Sequence, residues 1–281
     1  MAAINRGPQG PDSMYNCIER GWKFYAERPW LAGLFYWTGF DYRGEANPLV
    51  YPATGSEYGI FDYCGFPKDE AYFLKSWWTD EPVLHILPHW NLEGHEGERV
   101  SVWVYSNCDE VVLRVNGKSL GRKRMPRNGH LEWTAVYRPG RVQAVGYKNG
   151  RKVMTETVYT AGDPAELAAE ADRTQIQADG QDLAVVNVSV QDARGHFVPT
   201  ACIPVTVTVD GPGRILGCGN GDPAFRGKER PEDPAARTFT FDTFNGLAQL
   251  LIQSTGEPGD IHLMLKAEPC TYSVTISAVR P

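Results

Sequence analysis

Residues 100–117, VSVWVYSNCDEVVLRVNG, carry the pattern that decides the fold. Apolar residues occupy every second position in two runs: Val100, Val102 and Val104 in the first, and Val111, Leu113 and Val115 in the second. Alternation with a period of two is typical of β-strands that bury one face. The second run ends at Asn116 and Gly117, and Asn-Gly is typical of two-residue turns because both positions need positive φ. The stretch therefore predicts a β-hairpin.

The same pattern continues towards the C-terminus. Asn-Gly pairs at 128–129 and 149–150 separate further predicted strands at 130–137, 141–147 and 152–159. About seven short strands within about 80 residues are typical of a small β-sandwich. We therefore predict a sandwich over residues 82–161.

A second series of strands follows a linker at 161–164. The predicted strands lie at 174–177, 183–192, 203–209, 213–217, 237–241, 246–253, 260–267 and 271–279. Residues 222–236, DPAFRGKERPEDPAA, are polar and rich in proline, and we predict that this excursion is mobile. A second sandwich is therefore predicted over residues 162–281.

The segment before residue 82 has a different pattern. Residues 14–28 predict a helix, because apolar residues recur at helical spacing with charges between them, and Pro29 ends it. Residues 31–37 are continuously apolar, which is typical of a strand buried on both faces, as in a parallel sheet or barrel. A second helix is predicted at 68–78. Nothing else in the chain repeats this α/β unit, so we expect the partners of the buried strand to be missing or supplied elsewhere.

Composition and charge exclude several classes of partner. The 281-residue chain is 42% hydrophobic and 22% charged, with a net charge of −6, so it lacks the clustered basic residues of nucleic-acid or anionic-membrane binding. The basic run at 118–127 is predicted to be the solvated face of a hairpin. No stretch approaches the roughly 18 apolar residues of a membrane span, and residues 1–13 lack the apolar core of a signal peptide. No cellular location is predicted, although a periplasmic or secreted bacterial parent would carry its signal upstream.

Neither metal nor cofactor binding is predicted. Histidines at 85, 89 and 95 have a suggestive spacing, but a pair four residues apart shares a face only on a helix, and Pro88 and the surrounding β pattern disfavour a helix. The six cysteines match no zinc template. Residues 217–221, GCGNG, are predicted to be β-turns rather than a nucleotide-binding loop, because no helix follows them.

The tryptophans lie in the first half of the chain: Trp22, Trp30, Trp37, Trp77, Trp78, Trp90, Trp103 and Trp133. Sugar sites favour flat aromatic platforms, because the apolar face of a pyranose packs on the ring. Trp37 is the strongest candidate, since it ends the predicted buried strand and opens a long loop at 38–66. In α/β barrels that position faces the active site, and loops of this length are usually functional.

Four stretches resemble consecutive parts of one enzyme family. LAGLFYWTGFDYRGE at 31–45 resembles the eighth strand of a barrel and the loop after it, and GIFDYCGFPKDEAYFLKSWW at 59–78 resembles the end of that barrel and its last helix. Residues 82–123 resemble an appended β-sandwich, and residues 172–201 with the segments after them resemble a final invasin-like Ig domain. The family is glycoside hydrolase family 2, the β-galactosidase and β-glucuronidase group.

The resemblance implies a mainly β fold, with two Ig-like β-sandwich domains preceded by the final α/β segment of an incomplete (β/α)8 barrel. The expected domains are the barrel end at 1–81 and the sandwiches at 82–161 and 162–281. Family members place a jelly-roll domain and an Ig-like domain before a complete barrel, and this chain lacks those parts.

The resemblance places the catalytic residues outside this chain. Family members retain anomeric configuration with two glutamates on earlier barrel strands, one of them usually preceded by Asn. This chain has no Asn-Glu dipeptide and no glutamate before Glu19. Retaining chemistry needs two carboxyl groups about 5–5.5 Å apart. We therefore predict no catalytic residue here and no activity for the isolated chain.

Five substrate-contact residues carry over from the resemblance. Trp37 matches the tryptophan at the end of strand eight that lines the sugar subsite. Asp41 and Arg43 match the loop just after it, and Ser56 and Tyr58 fall near the loop that borders the same pocket elsewhere in the family. For Arg43 and Tyr58, loop packing is an equally good interpretation.

The leading hypothesis is the C-terminal part of a retaining, β-galactosidase-like β-glycosidase that hydrolyses terminal β-glycosides. This segment would supply Trp37 as a sugar platform and two scaffold domains. A carbohydrate-binding or adhesive β-sandwich module is the alternative, although the last domain lacks tryptophan. A third hypothesis is that the sandwiches only buttress the barrel or an oligomer interface. The expected partners are a carbohydrate substrate and the missing barrel and N-terminal domains, and a homo-oligomer is left open.

Overall fold

The computed structural model describes residues 14–46, 49–268 and 270–280. The chain divides into two compact units. The first unit holds Tyr58–Thr160 and the described residues up to Asp41, and the second holds Tyr42–Glu57 and the described residues from Ala161 onward. The domain boundaries expected from the sequence stay predictions.

Both predicted helices are present in the first unit. Helix α1 is Met14–Ala26, close to the prediction of 14–28. The second helix is Asp69–Trp78, one residue shorter than predicted, and we number it α2. Its first turn carries Asp69 and Glu70, whose negative charges favour the positive end of a helix dipole.

The apolar run at 31–37 is not a strand. Its residues have no regular secondary structure, and Phe35 is 100% and Trp37 74% exposed to solvent. The prediction of a strand buried on both faces is therefore wrong for this chain. A strand needs hydrogen-bonded neighbours to bury its backbone, and no strand among the described residues pairs with this run.

The 38–66 loop contains a short antiparallel pair that the sequence did not predict. Strand β1 is Tyr42–Arg43 and strand β2 is Gly55–Ser56, with Tyr42 opposite Ser56. The Gly44 amide donates to the Thr54 carbonyl at 3.0 Å and extends the pairing. We call Tyr42–Glu57 the arm; it belongs to the second unit.

The first unit also contains a β-sandwich. Its strands are β3 Leu84–Leu87, β4 Arg99–Ser106, β5 Glu110–Val115, β6 Lys118–Arg124, β7 Leu131–Val136, β8 Arg141–Lys148 and β9 Arg151–Tyr159. One sheet has the strand order β3-β4-β7 and the other β6-β5-β8-β9. Val102 and Val104 from the first sheet and Val111 and Leu113 from the second are fully buried in one core.

The predicted hairpin is confirmed. Strands β5 and β6 pair antiparallel, with Val115 opposite Lys118. Asn116 has φ 48° and Gly117 φ 83°, as a turn with two positive φ values requires. Strand β6 carries the basic run and is largely exposed, which agrees with a solvated hairpin face.

The second unit contains another sandwich. Its strands are β10 Pro164–Ala171, β11 Gln175–Gln177, β12 Leu183–Asp192, β13 Pro204–Asp210, β14 Gly213–Gly219, β15 Thr238–Asp242, β16 Leu247–Ser254, β17 Gly259–Ala267 and β18 Cys270–Val279. The sheets have the orders β10-β12-β16-β14 and β11-β18-β17-β13-β15. Val186, Val188 and Leu250 of one sheet and Val207 and Leu263 of the other meet in a shared core.

The mainly β architecture with sandwiches is confirmed. Their Ig-like character and the barrel origin of the first segment stay predictions. Within the residues that the structure describes, no helix has the length and apolar character needed to cross a membrane.

Candidate functional site

Asp41, one of the predicted substrate residues, is held in a buried ion pair. Its Oδ1 accepts from Lys68 Nζ at 2.7 Å and from the Gly59 amide at 2.8 Å. The side chains of Asp41 and Lys68 are only 2% and 8% exposed. Burial raises the pKa of Asp41, and this effect outweighs the opposing hydrogen bond and charge of Lys68. Within the first unit, the carboxylate therefore joins the segment after Trp37 to the segment before α2.

Glycine is required at position 59 for this contact. A Cβ there would lie 2.2 Å from the Asp41 amide nitrogen and 2.4 Å from the Phe61 carbonyl oxygen, far inside normal contact distances. The Asp41 amide also donates to the Phe61 carbonyl at 3.0 Å. Backbone therefore packs directly on backbone where the long loop returns to the first unit.

Trp37 combines an exposed ring with a fixed backbone. The carbonyl of Thr38 accepts from the Ile60 amide at 3.2 Å, and that of Gly39 accepts from the Phe61 amide at 2.9 Å. The peptide bond between Trp37 and Thr38 is cis. The backbone just after Trp37 is thus anchored, while its indole stays 74% exposed.

The remaining predicted residues are divided between the two units. Tyr58 is half-buried in the first unit, next to Gly59. Ser56 is fully buried in the second unit on β2. Arg43 lies on β1 and forms an ion pair with Glu229 of the same unit. The substrate roles of all five residues stay predictions.

A second carboxylate in the loop completes a turn. Asp62 Oδ1 accepts from the amides of Cys64 at 2.8 Å and Phe66 at 2.9 Å. Burial raises the pKa of Asp62 against these two bonds. Its Oδ1 accepts from the backbone that leads into α2, which gives this carboxylate a structural role.

A buried histidine network was missed by the sequence reasoning. His85 Nε2 on β3 lies 2.7 Å from Asp69 Oδ1 on α2, and Nδ1 lies 3.7 Å from Glu156 on β9. The imidazole stacks on Tyr72 with a centroid distance of 3.8 Å. The sequence could not show this network, because its members are up to 87 positions apart, from 69 to 156.

The network shifts the pKa of its members. Burial lowers the pKa of His85, but the hydrogen bond and charge of Asp69, with Glu156 and Glu70, raise it overall. Burial raises the pKa of Glu156 to about 7, and burial with the charge of Asp69 raises that of Glu70 to about 7. These groups join α2 to the first sandwich.

The three histidines noted in the sequence have different surroundings. His95 pairs with Glu98 at 2.9 Å, and burial lowers the pKa of His89. Across the described ranges, no three His, Cys, Asp or Glu side chains are grouped so that they could hold a metal ion.

Comparison with known proteins identifies relatives along both units. Residues 167–275 match the model of glycoside hydrolase family 2 C-terminal domain 5, and residues 97–154 match a domain of unknown function, DUF4982. A β-galactosidase of Bacteroides ovatus, BoGH2A, is 40% identical over 92% of this chain and 30% of its own length. A putative β-glucuronidase of Formosa agariphila is 35% identical over 88% of this chain and 24% of its own length.

Solved structures show the same relationship. A β-glycosidase from Bacteroides vulgatus is 32% identical and has a TM-score of 0.85, over 92% of this chain and 32% of that chain. A glycosyl hydrolase family 2 member from Bacteroides cellulosilyticus is 30% identical with a TM-score of 0.82, over 95% of this chain and 39% of that chain. The chain thus spans between 24% and 39% of the length of these proteins.

Proposed function

We propose that this chain, which belongs to glycoside hydrolase family 2, forms the C-terminal part of a retaining β-glycosidase that hydrolyses terminal β-glycosides. Relatives named as a β-galactosidase and a putative β-glucuronidase favour a galactoside or a glucuronide as the substrate. The two catalytic glutamates lie in the part of the enzyme that these residues do not include. The isolated chain is accordingly inactive.

Trp37 is the sugar platform in this proposal, and its exposed indole on an anchored backbone is the observation that carries it. A ring that stacks on a pyranose must present its face to the ligand and keep its position when the ligand leaves. Hydrogen bonds from the amides of residues 60 and 61 to the backbone after Trp37 would keep the ring in position without a ligand.

The exposed apolar run supports a missing partner of the same protein. Leu34 and Phe40 are 43% and 58% exposed beside the fully exposed Phe35. Contiguous apolar surface of this kind usually marks an interface. In the complete enzyme, we propose, earlier barrel strands cover this run and supply its hydrogen-bond partners.

The first sandwich serves as the scaffold for the barrel end. The ring of His85 bonds to α2 through Asp69. On the other side, His130 pairs with Glu19 of α1 and stacks on Trp103 at 3.7 Å. Each helix is therefore joined to the β3-β4-β7 sheet or its edge by a largely buried imidazole–carboxylate pair.

The test uses the complete enzyme with Trp37→Ala. Loss of the platform lowers kcat/KM for an aryl β-glycoside by about tenfold or more, because stacking and burial of one sugar face are lost. Trp37→Phe keeps a flat ring and retains most of the activity. Phe197→Ala, at an exposed aromatic residue of the second unit, is the control. A kcat/KM for Trp37→Ala within twofold of the wild type refutes the platform.

A further inference from the structure

We propose that the 222–236 excursion of the second sandwich positions the arm and orients Arg43, one of the predicted substrate residues. The inference rests on the proposed function, because the substrate role of Arg43 is itself a prediction. It assigns Arg226 and Glu229, which belong to the same unit as the arm, as positioning residues. The second unit then sets the orientation of a predicted substrate residue in addition to serving as a scaffold.

The first contact uses a backbone carbonyl of the excursion. The Thr54 amide donates to the Pro223 carbonyl at 2.8 Å, and Thr54 Oγ1 donates to the same oxygen at 3.1 Å. Because both donors belong to one residue, these two hydrogen bonds restrict the position and the orientation of the arm just before β2. Thr54 directly precedes β2, which pairs with the strand that carries Arg43, so this contact helps to fix the position of Arg43.

The second contact is made by a guanidinium group. Arg226 Nε and Nη2 each lie 3.3 Å from the Pro52 carbonyl oxygen. The same guanidinium lies over the Tyr51 ring, 4.5 Å from its centroid. A planar guanidinium can direct two N–H groups at one carbonyl oxygen while its face lies on an aromatic ring, and the ammonium group of a lysine lacks this planar geometry.

The third contact involves Arg43 itself. Its guanidinium pairs with the carboxylate of Glu229. Both side chains are about half exposed, so the pair adds little to the free energy of unfolding. Its effect is on orientation, because it selects one direction for a long and otherwise flexible side chain.

The excursion itself is anchored to the sandwich. The side chain of buried Asn220 donates to the Asp242 carbonyl at 3.0 Å, and its Oδ1 accepts from the Asp222 amide at 3.1 Å. Asp222 in turn accepts from the Ala224 amide at 2.8 Å. Near Glu229, the Cys218 amide of β14 donates to the Glu229 carbonyl at 2.7 Å. The residues of the excursion that contact the arm are therefore held in place by hydrogen bonds to the sandwich and within the excursion.

This anchoring gives a use to the GCGNGDP segment. The sequence predicts turns there. In the structure, a hydrogen bond within these turns fixes Asp222, and the carbonyl of the next residue, Pro223, accepts from the Thr54 amide. Residues 222–236 were predicted to be mobile. That prediction is untested, but the part from Asp222 to Glu229 has defined hydrogen-bond partners at each end.

Hydrogen–deuterium exchange on the 281-residue chain tests the positioning directly. In Arg226→Ala combined with Glu229→Gln, amides of the arm exchange about three- to tenfold faster, because two exposed charged contacts of modest strength are lost. Arg226→Lys with wild-type Glu229 gives intermediate exchange. The matched control is Lys228→Ala combined with Glu232→Gln, which removes a pair 2.7 Å apart within the same excursion. The melting temperature of the second unit stays unchanged in every variant.

The same variants in the complete enzyme separate positioning from general stability. KM for the aryl β-glycoside rises several-fold while kcat stays within about twofold, since a binding contact is lost but the catalytic carboxylates are untouched. Arm exchange equal to that of the control variant, or an unchanged KM, overturns the inference. A complete enzyme without glycosidase activity instead refutes the proposed function, and the exchange measurement still decides whether the excursion holds the arm.

Discussion

The Asp41–Lys68 pair is the residue-scale contact that fixes the loop after Trp37. Its two members are 27 positions apart and nearly inaccessible to solvent. Two ions buried in this way are costly to separate, because removal of one leaves the other without a partner in a medium of low dielectric constant. The pair therefore holds together the two segments between which the long loop runs.

We predict that Lys68→Met destabilises the first unit by about 3 kcal/mol at pH 7. The carboxylate of Asp41 must then stay buried without a counter-charge or take up a proton, so its folded pKa rises further above the unfolded value. The destabilisation is consequently smaller at pH 4 than at pH 7. Urea denaturation at both pH values measures it. Lys75→Met, which removes an exposed pair with Glu81, is the control and costs less than about 1 kcal/mol.

The pH dependence of the first unit follows from His85. Its folded pKa lies above its usual value, so its contribution to stability is fully present below about pH 6.5 and is lost as the pH rises through the folded pKa. The raised pKa of Glu156 acts in the same direction between about pH 4.5 and about pH 7. The lowered pKa of His89 acts in the opposite direction below about pH 6.5. We expect His85 and Glu156 together to outweigh it, so the melting temperature of the first unit should be lower at pH 9 than at pH 6.

The variant Asp69→Asn tests the origin of that dependence. It removes the charge that raises the pKa of His85, and about 1–2 kcal/mol of stability should be lost at pH 6 with much less at pH 9. An NMR titration of the His85 ring reports its pKa directly. Glu98→Gln, which removes only the exposed partner of His95, should leave the titration of His85 unchanged. A His85 pKa that does not fall in Asp69→Asn argues against the assigned cause.

At the same scale, sequence reasoning reaches residue types but not their partners. The aromatic pattern selects Trp37, and the structure gives it an exposed ring. The partner of Arg43 could not be predicted, because Glu229 is 186 positions away. Contacts of this separation depend on the fold of the second unit, and no local spacing encodes them.

At the scale of elements, local patterns succeed where burial follows from the strand itself. Strand β12 matches its predicted bounds of 183–192, because every second residue from Ala184 to Val190 is apolar and faces one core. Strand β10 was missed. Its sequence, PAELAAEA, is rich in Ala and Glu, which favour helices, and its pairing with β12 overrides that preference.

The run at 31–37 shows the opposite failure. Its apolar residues predicted burial on both faces, yet they lie exposed because the described residues provide no neighbouring strand. A hydrophobic pattern reports the environment for which a segment was selected, and that environment can lie in another part of the same protein. The misprediction itself thus supports a missing partner.

The exposed run should make the 281-residue chain self-associate. We predict that Leu34→Ser combined with Phe35→Ser shifts it towards monomer, because the change breaks up a contiguous apolar patch. Sedimentation velocity across a range of concentrations measures the shift. The control is Val153→Ser, at a singly exposed apolar residue of the first sandwich. If the two variants self-associated equally, the surface responsible for self-association would lie elsewhere.

At the scale of the whole molecule, each compact unit has its own buried core, and each core is built from facing sheets. The residues with a predicted substrate role all precede the first strand of the first sandwich, β3. Under the proposed function, the chain therefore combines a scaffold with a few residues of a site that other domains complete.

An activity assay of the purified 281-residue chain tests the central claim most directly. Chromogenic aryl β-galactoside and β-glucuronide are supplied to the chain and, in parallel, to the complete enzyme. We predict that the complete enzyme turns over at least one of the two substrates. The chain should show no turnover beyond the background of a preparation from cells without the gene. Turnover by the chain alone would contradict the account, because the catalytic carboxylates would then have to lie within these residues.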